Sequence, residues 1–162
     1  LVVQTGCASR PRASSPGKEE LLRDARFQKG FFLLEPKPGR RVIYGRSLGS
    51  GLAATLAADV QPELTVLVSP FESMVALAGE HYPWVPSALL RYPLRTDQAL
   101  ARIHGSVWMA HGELDALIPP QHAARLLALA PQAQLLRVVG AGHNDIQEFE
   151  AYLNGLRKAL RP

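Results

Sequence analysis

The stretch LTVLVS, residues 64–69, is apolar or β-branched at nearly every position and offers no polar face to water. A half-exposed strand alternates apolar and polar residues, so a continuous run of this kind belongs to a strand buried on both faces, as in a parallel sheet covered by helices. Three more runs carry the same signal: RVIYG (41–45), SVWMAH (106–111) and AQLLRVV (133–139). Between them the period changes to that of a helix. A small-residue helix is predicted from Gly49 to Ala58, another over PPQHAARLLALA with proline at its start, and an amphipathic one over DIQEFEAYLNGLRKAL. Residues 70–105 read as short helical pieces broken by Pro83, Pro86 and Pro93. Strands separated by helices imply right-handed crossovers, and the predicted class is α/β, a mostly parallel sheet covered on both faces.

The start of the chain is less regular. LVV reads as the end of a strand, residues 4–17 are polar and rich in Pro and Ser, and KEELLRDARFQKGFFLLE follows with Leu21, Leu22, Ala25, Phe32 and Leu33 near helical spacing. At 162 residues the chain fits one domain able to bury a real core. Its hydrophobic content is 47%, yet no apolar run approaches the ~20 residues of a membrane span. The formal charge of +4 comes from basic residues scattered between acids rather than clustered, which speaks against a nucleic-acid partner. Cys7 is the single cysteine and follows neither a basic start nor a long apolar region, so no internal disulfide, lipoprotein signal or Cys-based metal site is expected. No His, Cys and carboxylate set stands at ligand spacing either, so neither metal nor cofactor is predicted, and the expected location is the cytoplasm.

Parallel α/β sheets place chemistry at the carboxyl ends of their strands. After 41–45 comes Ser47, after 106–111 come Glu113 and Asp115, and after 133–139 comes His143. A serine hydroxyl needs a base to become nucleophilic, an imidazole can serve, and a carboxylate on the far ring nitrogen fixes its tautomer. Gly45-Arg46-Ser47-Leu48-Gly49 supplies the turn: a strand that passes at once into a helix strains the central residue, and glycines on either side leave room where a Cβ would collide. The pentapeptide alone is a weak signal. Its place at a strand-to-helix junction, with acid and base following in the order Ser, Asp, His, makes it specific.

The segments YGRSLGSG, SPFESM, EHYPW, HGELDALIP and GAGHND resemble the small α/β-hydrolase-domain branch of the α/β-hydrolase superfamily, which includes protein depalmitoylases and lysophospholipid lipases. The resemblance implies Ser47 as nucleophile, Asp115 as the acid four residues after the His of HG-x-x-D, His143 as the base, and the Leu48 backbone N–H as an oxyanion donor. Glu113 remains an alternative acid or a solvent-facing residue, while Asp145 reads as a cap on the last helix. His81, His104, His111 and His122 have no matched partners and read as surface or packing residues. Tyr82 and Trp84, with Pro86, are expected to pack a short cap over the site and to contact substrate.

An intact member of that family has an eight-stranded sheet, whereas this chain carries only the last four strands and the LVV stub. The loop that gives the second oxyanion N–H would precede Leu1. The chain therefore reads as a single, N-terminally truncated domain, atypical over 1–17 and family-like over 18–162. The expected activity is cleavage of a carboxylic ester or thioester, on a small-molecule acyl ester or an acylated substrate, through an acyl-enzyme. The alternatives are an impaired remnant or scaffold and, as a lesser reading, a prolyl-oligopeptidase-like peptidase. With its neighbouring strand absent, RVIYG becomes an exposed edge, which predicts poor solubility or a homodimer through that edge unless LVV folds back to pair with it.

Overall fold

The computed structural model describes residues 2–3, 41–84 and 86–161. The helix expected over KEELLRDARFQKGFFLLE and the Pro/Ser-rich segment before it lie outside the described residues. In chain order the elements are β1 (Val2–Val3), β2 (Val42–Arg46), α1 (Leu48–Val60), β3 (Leu64–Val68), α2 (Met74–His81), a 3-10 turn (Ser87–Leu89), α3 (Thr96–Leu100), β4 (Ser106–Gly112), α4 (Gln121–Leu129), β5 (Ala133–Val138), a second 3-10 turn (Ile146–Glu148) and α5 (Glu150–Leu160). None of these helices is long and apolar enough to cross a membrane.

The strands form a parallel sheet in the order β1-β2-β3-β4-β5. Sequence order and spatial order coincide, so each crossover steps in the same direction, and a common hand puts α1, α3 and α4 on one face. That face is packed by Ile43, Leu67, Val107 and Met109 from the strands against Ala53, Leu56, Ala57, Leu100 and Leu126 from the helices. On the other face Leu64, Val66, Val68, Trp108 and Val138 meet Ile146 of the second 3-10 turn and Tyr152 of α5. All five residues of β3 are buried, as its unbroken apolar run requires.

Two expectations change. The last helix does not run through from Asp145: Phe149 is extended (φ −84, ψ 128) and separates the 3-10 turn from α5. Its ring packs on the Ile146 and Tyr152 side of the sheet, a position that a continuous helical ladder would not deliver. The edge also differs. Val2 pairs with Tyr44 and Val3 with Gly45, while β3 pairs on the opposite side of β2, so the ladder at Tyr44 and Gly45 is satisfied from within the chain. The reason for a second copy to join the sheet at those residues is thereby removed.

Helix α1 lies very close over β2. A Cβ on Gly45 would stand 2.4 Å from the Ala53 Cβ and 2.4 Å from the Gly49 carbonyl oxygen, and neither can swing away. Gly45→Ala is therefore expected to lose about 3 kcal/mol or more of unfolding free energy, read from urea denaturation, because backbone must separate to admit the methyl group.

A polar clamp joins α2 to α4. Arg125 donates from Nε to Glu72 (2.6 Å) and from an amino nitrogen to Glu80 (2.9 Å). Fully buried His122 accepts the Glu72 backbone N–H at Nδ1 (3.3 Å) and turns Nε2 to Glu80 (3.2 Å). Burial, more than the opposing pull of Glu80, holds the His122 imidazole below its ordinary range. A base whose folded value is depressed contributes stability above its unfolded value, near 6.5, and loses it as the pH falls toward the folded one. Between about pH 7.5 and about pH 5 the melting temperature should therefore fall more for the wild type than for His122→Gln, as differential scanning fluorimetry can measure.

Candidate active site

Four strand ends, at Arg46, Val68, Gly112 and Val138, reach the same edge of the sheet. Ser47 stands where β2 passes directly into α1, with φ 52 and ψ −127. Such a backbone is costly for a residue with a Cβ and persists only where its surroundings over-determine it. Here the Ser47 N–H donates to the Val68 carbonyl (2.9 Å), and the Ser47 carbonyl accepts from both the Ser50 N–H (2.8 Å) and the Ser50 hydroxyl (2.7 Å). Although Ser47 occupies the N-cap position, its side chain makes no cap hydrogen bond. It faces His143 instead, with Oγ 3.0 Å from Nε2.

His143 belongs to the loop after β5. Gly142 N–H donates to Asp145 Oδ1 (2.7 Å), so Asp145 closes this loop rather than capping the last helix by its side chain. The loop is also tied to the end of β4: Glu113 N–H donates to the Val138 carbonyl (3.0 Å) and Leu114 N–H to that of Ala141 (2.9 Å). Gly112 permits this approach, since a Cβ there would sit 2.4 Å from the Ala141 oxygen.

Asp115 completes the arrangement. Its Oδ2 lies 2.8 Å from His143 Nδ1 and 3.4 Å from His111 Nε2, while Oδ1 accepts the backbone N–H groups of Leu117 (3.1 Å) and Ile118 (2.8 Å). Because an ionised carboxylate only accepts, the His143 proton resides on Nδ1, which leaves Nε2 free to receive the Ser47 hydroxyl proton. Burial pushes the Asp115 carboxyl up, but the hydrogen bonds from His111, His143 and Ile118 outweigh it and hold the group well below the usual carboxylate range. The charge is thus present at any pH where imidazole can act as a base.

The other expected residues fall outside this constellation. Glu113 pairs with Arg137 (3.1 Å). Trp84 is 75% exposed and Tyr82 56%, and their rings meet edge to face at 5.9 Å. The apolar surface against the site is supplied instead by a pocket of about 350 Å³ that begins at Leu48 and Leu52 and continues to Met74, Leu90, Tyr92 and Leu94. A larger cleft of about 480 Å³ opens by Ser106 and Gln132 at the amino ends of the strands, remote from Ser47. Two histidines read as surface or packing residues, His111 and His122, are buried hydrogen-bonding centres. His111 fits the signal HG-x-x-D, which sets it four residues before the acid. Arg46, which the sequence reading passed over, donates to the His143 backbone carbonyl. Among the described residues no group of three or more His, Cys, Asp or Glu side chains could hold a metal ion.

No family model matches the chain. An uncharacterized protein of Mycobacterium tuberculosis is 32% identical over 153 residues, which make up 90% of this chain and 54% of that protein. Human alpha/beta hydrolase domain-containing protein 17B is 28% identical over 123 residues, 75% of this chain and 42% of its own length. The crystal structure of Paleococcus ferrophilus monoacylglycerol lipase has the same fold, with a TM-score of 0.61 at 17% identity over 90% of this chain and 74% of the lipase. The chain spans about half the length of the curated relatives it matches. The chain thus has the fold of the α/β hydrolases and is similar in sequence to a member of the α/β-hydrolase-domain branch.

Proposed function

We propose that this chain carries the reacting centre of a serine hydrolase that cleaves a carboxylic ester or thioester through an acyl-enzyme. The observation that carries the reading is the unbroken hydrogen-bonded chain from Ser47 Oγ through His143 to Asp115, built on a serine held in a strained backbone. Ser47 Oγ attacks the acyl carbon as His143 Nε2 takes its proton, and Asp115 stabilises the imidazolium that results. The Leu48 N–H, the first amide of α1, faces the developing oxyanion with the positive end of the helix dipole behind it. His143 then returns the proton to the leaving alcohol or thiol, and a water activated by the same nitrogen hydrolyses the acyl-Ser47 ester. Support for the ester class comes from the lipase of like fold and from the apolar pocket beside Leu48, which suits an acyl chain.

A fluorophosphonate probe should label the wild type at Ser47, and p-nitrophenyl acetate should turn over, with both abolished in Ser47→Ala. Labelling that survives the substitution would remove Ser47 as nucleophile. A folded wild type that takes no label would favour a scaffold that keeps these side chains without turnover.

The pocket can be tested separately. Leu90→Trp should lower kcat/KM for p-nitrophenyl octanoate by about 10-fold and leave the acetate within about 2-fold, since only the longer chain needs the filled space. Equal loss on both esters would place the acyl chain elsewhere.

A further inference from the structure

Arg46 is the last residue of β2 and the immediate neighbour of Ser47. Strand alternation sends its side chain to the α5 face, the side of Val42 and Tyr44. From there an amino nitrogen of the guanidinium donates to the backbone carbonyl of His143. Its Nε is buried and finds no acceptor among the described residues. A guanidinium N–H taken out of water and left unpaired is unfavourable, so folding stability alone does not account for an arginine here.

The place of the contact supplies the missing reason. The base loop is fastened to the end of β4 through Glu113 and Leu114, and to itself through Asp145. None of these bonds reaches the strand that bears the nucleophile. Among the described residues two hydrogen bonds join Arg46 or Ser47 to His143: Ser47 Oγ to Nε2, and the Arg46 guanidinium to the backbone carbonyl. The first cannot persist through a reaction in which Oγ gives up its proton and becomes acylated. The second involves no reacting atom.

We propose that Arg46 is a positioning residue, whose guanidinium keeps the His143 backbone in register with Ser47 during the steps in which the serine–imidazole hydrogen bond is absent. The inference rests on the serine-hydrolase reading above, and it assigns a task to the variable residue of Gly-x-Ser-x-Gly that the pentapeptide itself does not state. A lysine could offer one donor to the same carbonyl but not the fixed planar fork, and a methionine could offer none.

The test compares wild type, Arg46→Lys and Arg46→Met for fluorophosphonate labelling rate, for kcat and KM on p-nitrophenyl acetate, for melting temperature, and for the downfield proton resonance of His143 Nδ1–H. Arg46→Met is expected to fold and to lose about 100-fold in kcat and in labelling rate with KM within about 2-fold, because a slightly misplaced base costs rate rather than binding. Its downfield resonance should broaden or shift. Arg46→Lys should recover about 10-fold of the loss while remaining below wild type. Wild-type kcat in folded Arg46→Met, or a lowered melting temperature with unchanged kcat per folded molecule, overturns the proposal and makes Arg46 a packing residue. If Arg46→Met does not fold, Arg46→Lys decides, and wild-type kcat with an unaltered resonance overturns the proposal. If the wild type neither takes the label nor turns over ester, the serine-hydrolase reading fails, and the resonance judges the geometry: unaltered in either folded variant, it overturns the positioning role as well.

Discussion

Parallel pairing obliges every strand of a sheet to deliver its carboxyl end to the same edge, and the rest of this molecule depends on that constraint. Residues 46, 112 and 138 are far apart in sequence, yet the ladder from β2 to β5 brings them to one rim with no further instruction. The loops that follow can then be short. Ser47 needs no loop, since the chain turns from strand to helix at that residue. The acid lies three residues beyond β4 and the base five beyond β5, and backbone hydrogen bonds from Glu113 and Leu114 lock the second loop against the first. A rigid scaffold thus fixes three side chains to within hydrogen-bond reach before any ligand is present.

Electrostatics adds a second layer. Buried carboxylates are unfavourable unless several donors face them, and Asp115 has three, two backbone amides and His143, with the His111 ring 3.4 Å away beside them. His111 also directs its Nε2 to the Ile118 carbonyl at 2.8 Å, so one buried imidazole touches both the acid and the loop that supplies the acid's amide donors. The same economy recurs at His122, where a buried ring joins the backbone of Glu72 to the side chain of Glu80. In each case one ring nitrogen bonds a backbone group, the Ile118 carbonyl or the Glu72 N–H, and a nitrogen of the same ring adjoins a carboxylate.

The strands were legible because burial on two faces leaves a local trace, and LTVLV carries it in every residue. The site was legible because Ser47, Asp115 and His143 follow those strands within a few residues, the first of them flanked by Gly45 and Gly49. What local pattern could not convey are relationships set by the tertiary fold. Nothing around His122 in sequence points to Glu80, forty-two residues away, and nothing around Arg46 points to a carbonyl at residue 143. The break at Phe149 is of the same kind, since an amphipathic period continues through it while the residue itself is extended and packs on the sheet. Tyr82 and Trp84 show the converse: large aromatic rings suggested a covered site, but they pack on each other while the pocket is walled by other side chains, from Leu48 to Leu94.

Asp115 has a consequence for how such a chain can change over generations. One carboxylate satisfies two backbone amides through Oδ1, and through Oδ2 it orients one imidazole and adjoins another, so most substitutions at that position act on reactivity and folding together. An asparagine could keep its Oδ1 on the two amides but would turn an N–H toward His143 Nδ1, and an alanine would leave all of them unmet. Glu113, though only two residues away, points to Arg137 and could assume the task only if the amides of Leu117 and Ile118 found new partners at the same time. Drift at this strand end is therefore restricted to concerted replacements, whereas the solvent-facing positions around it are free to diverge one by one.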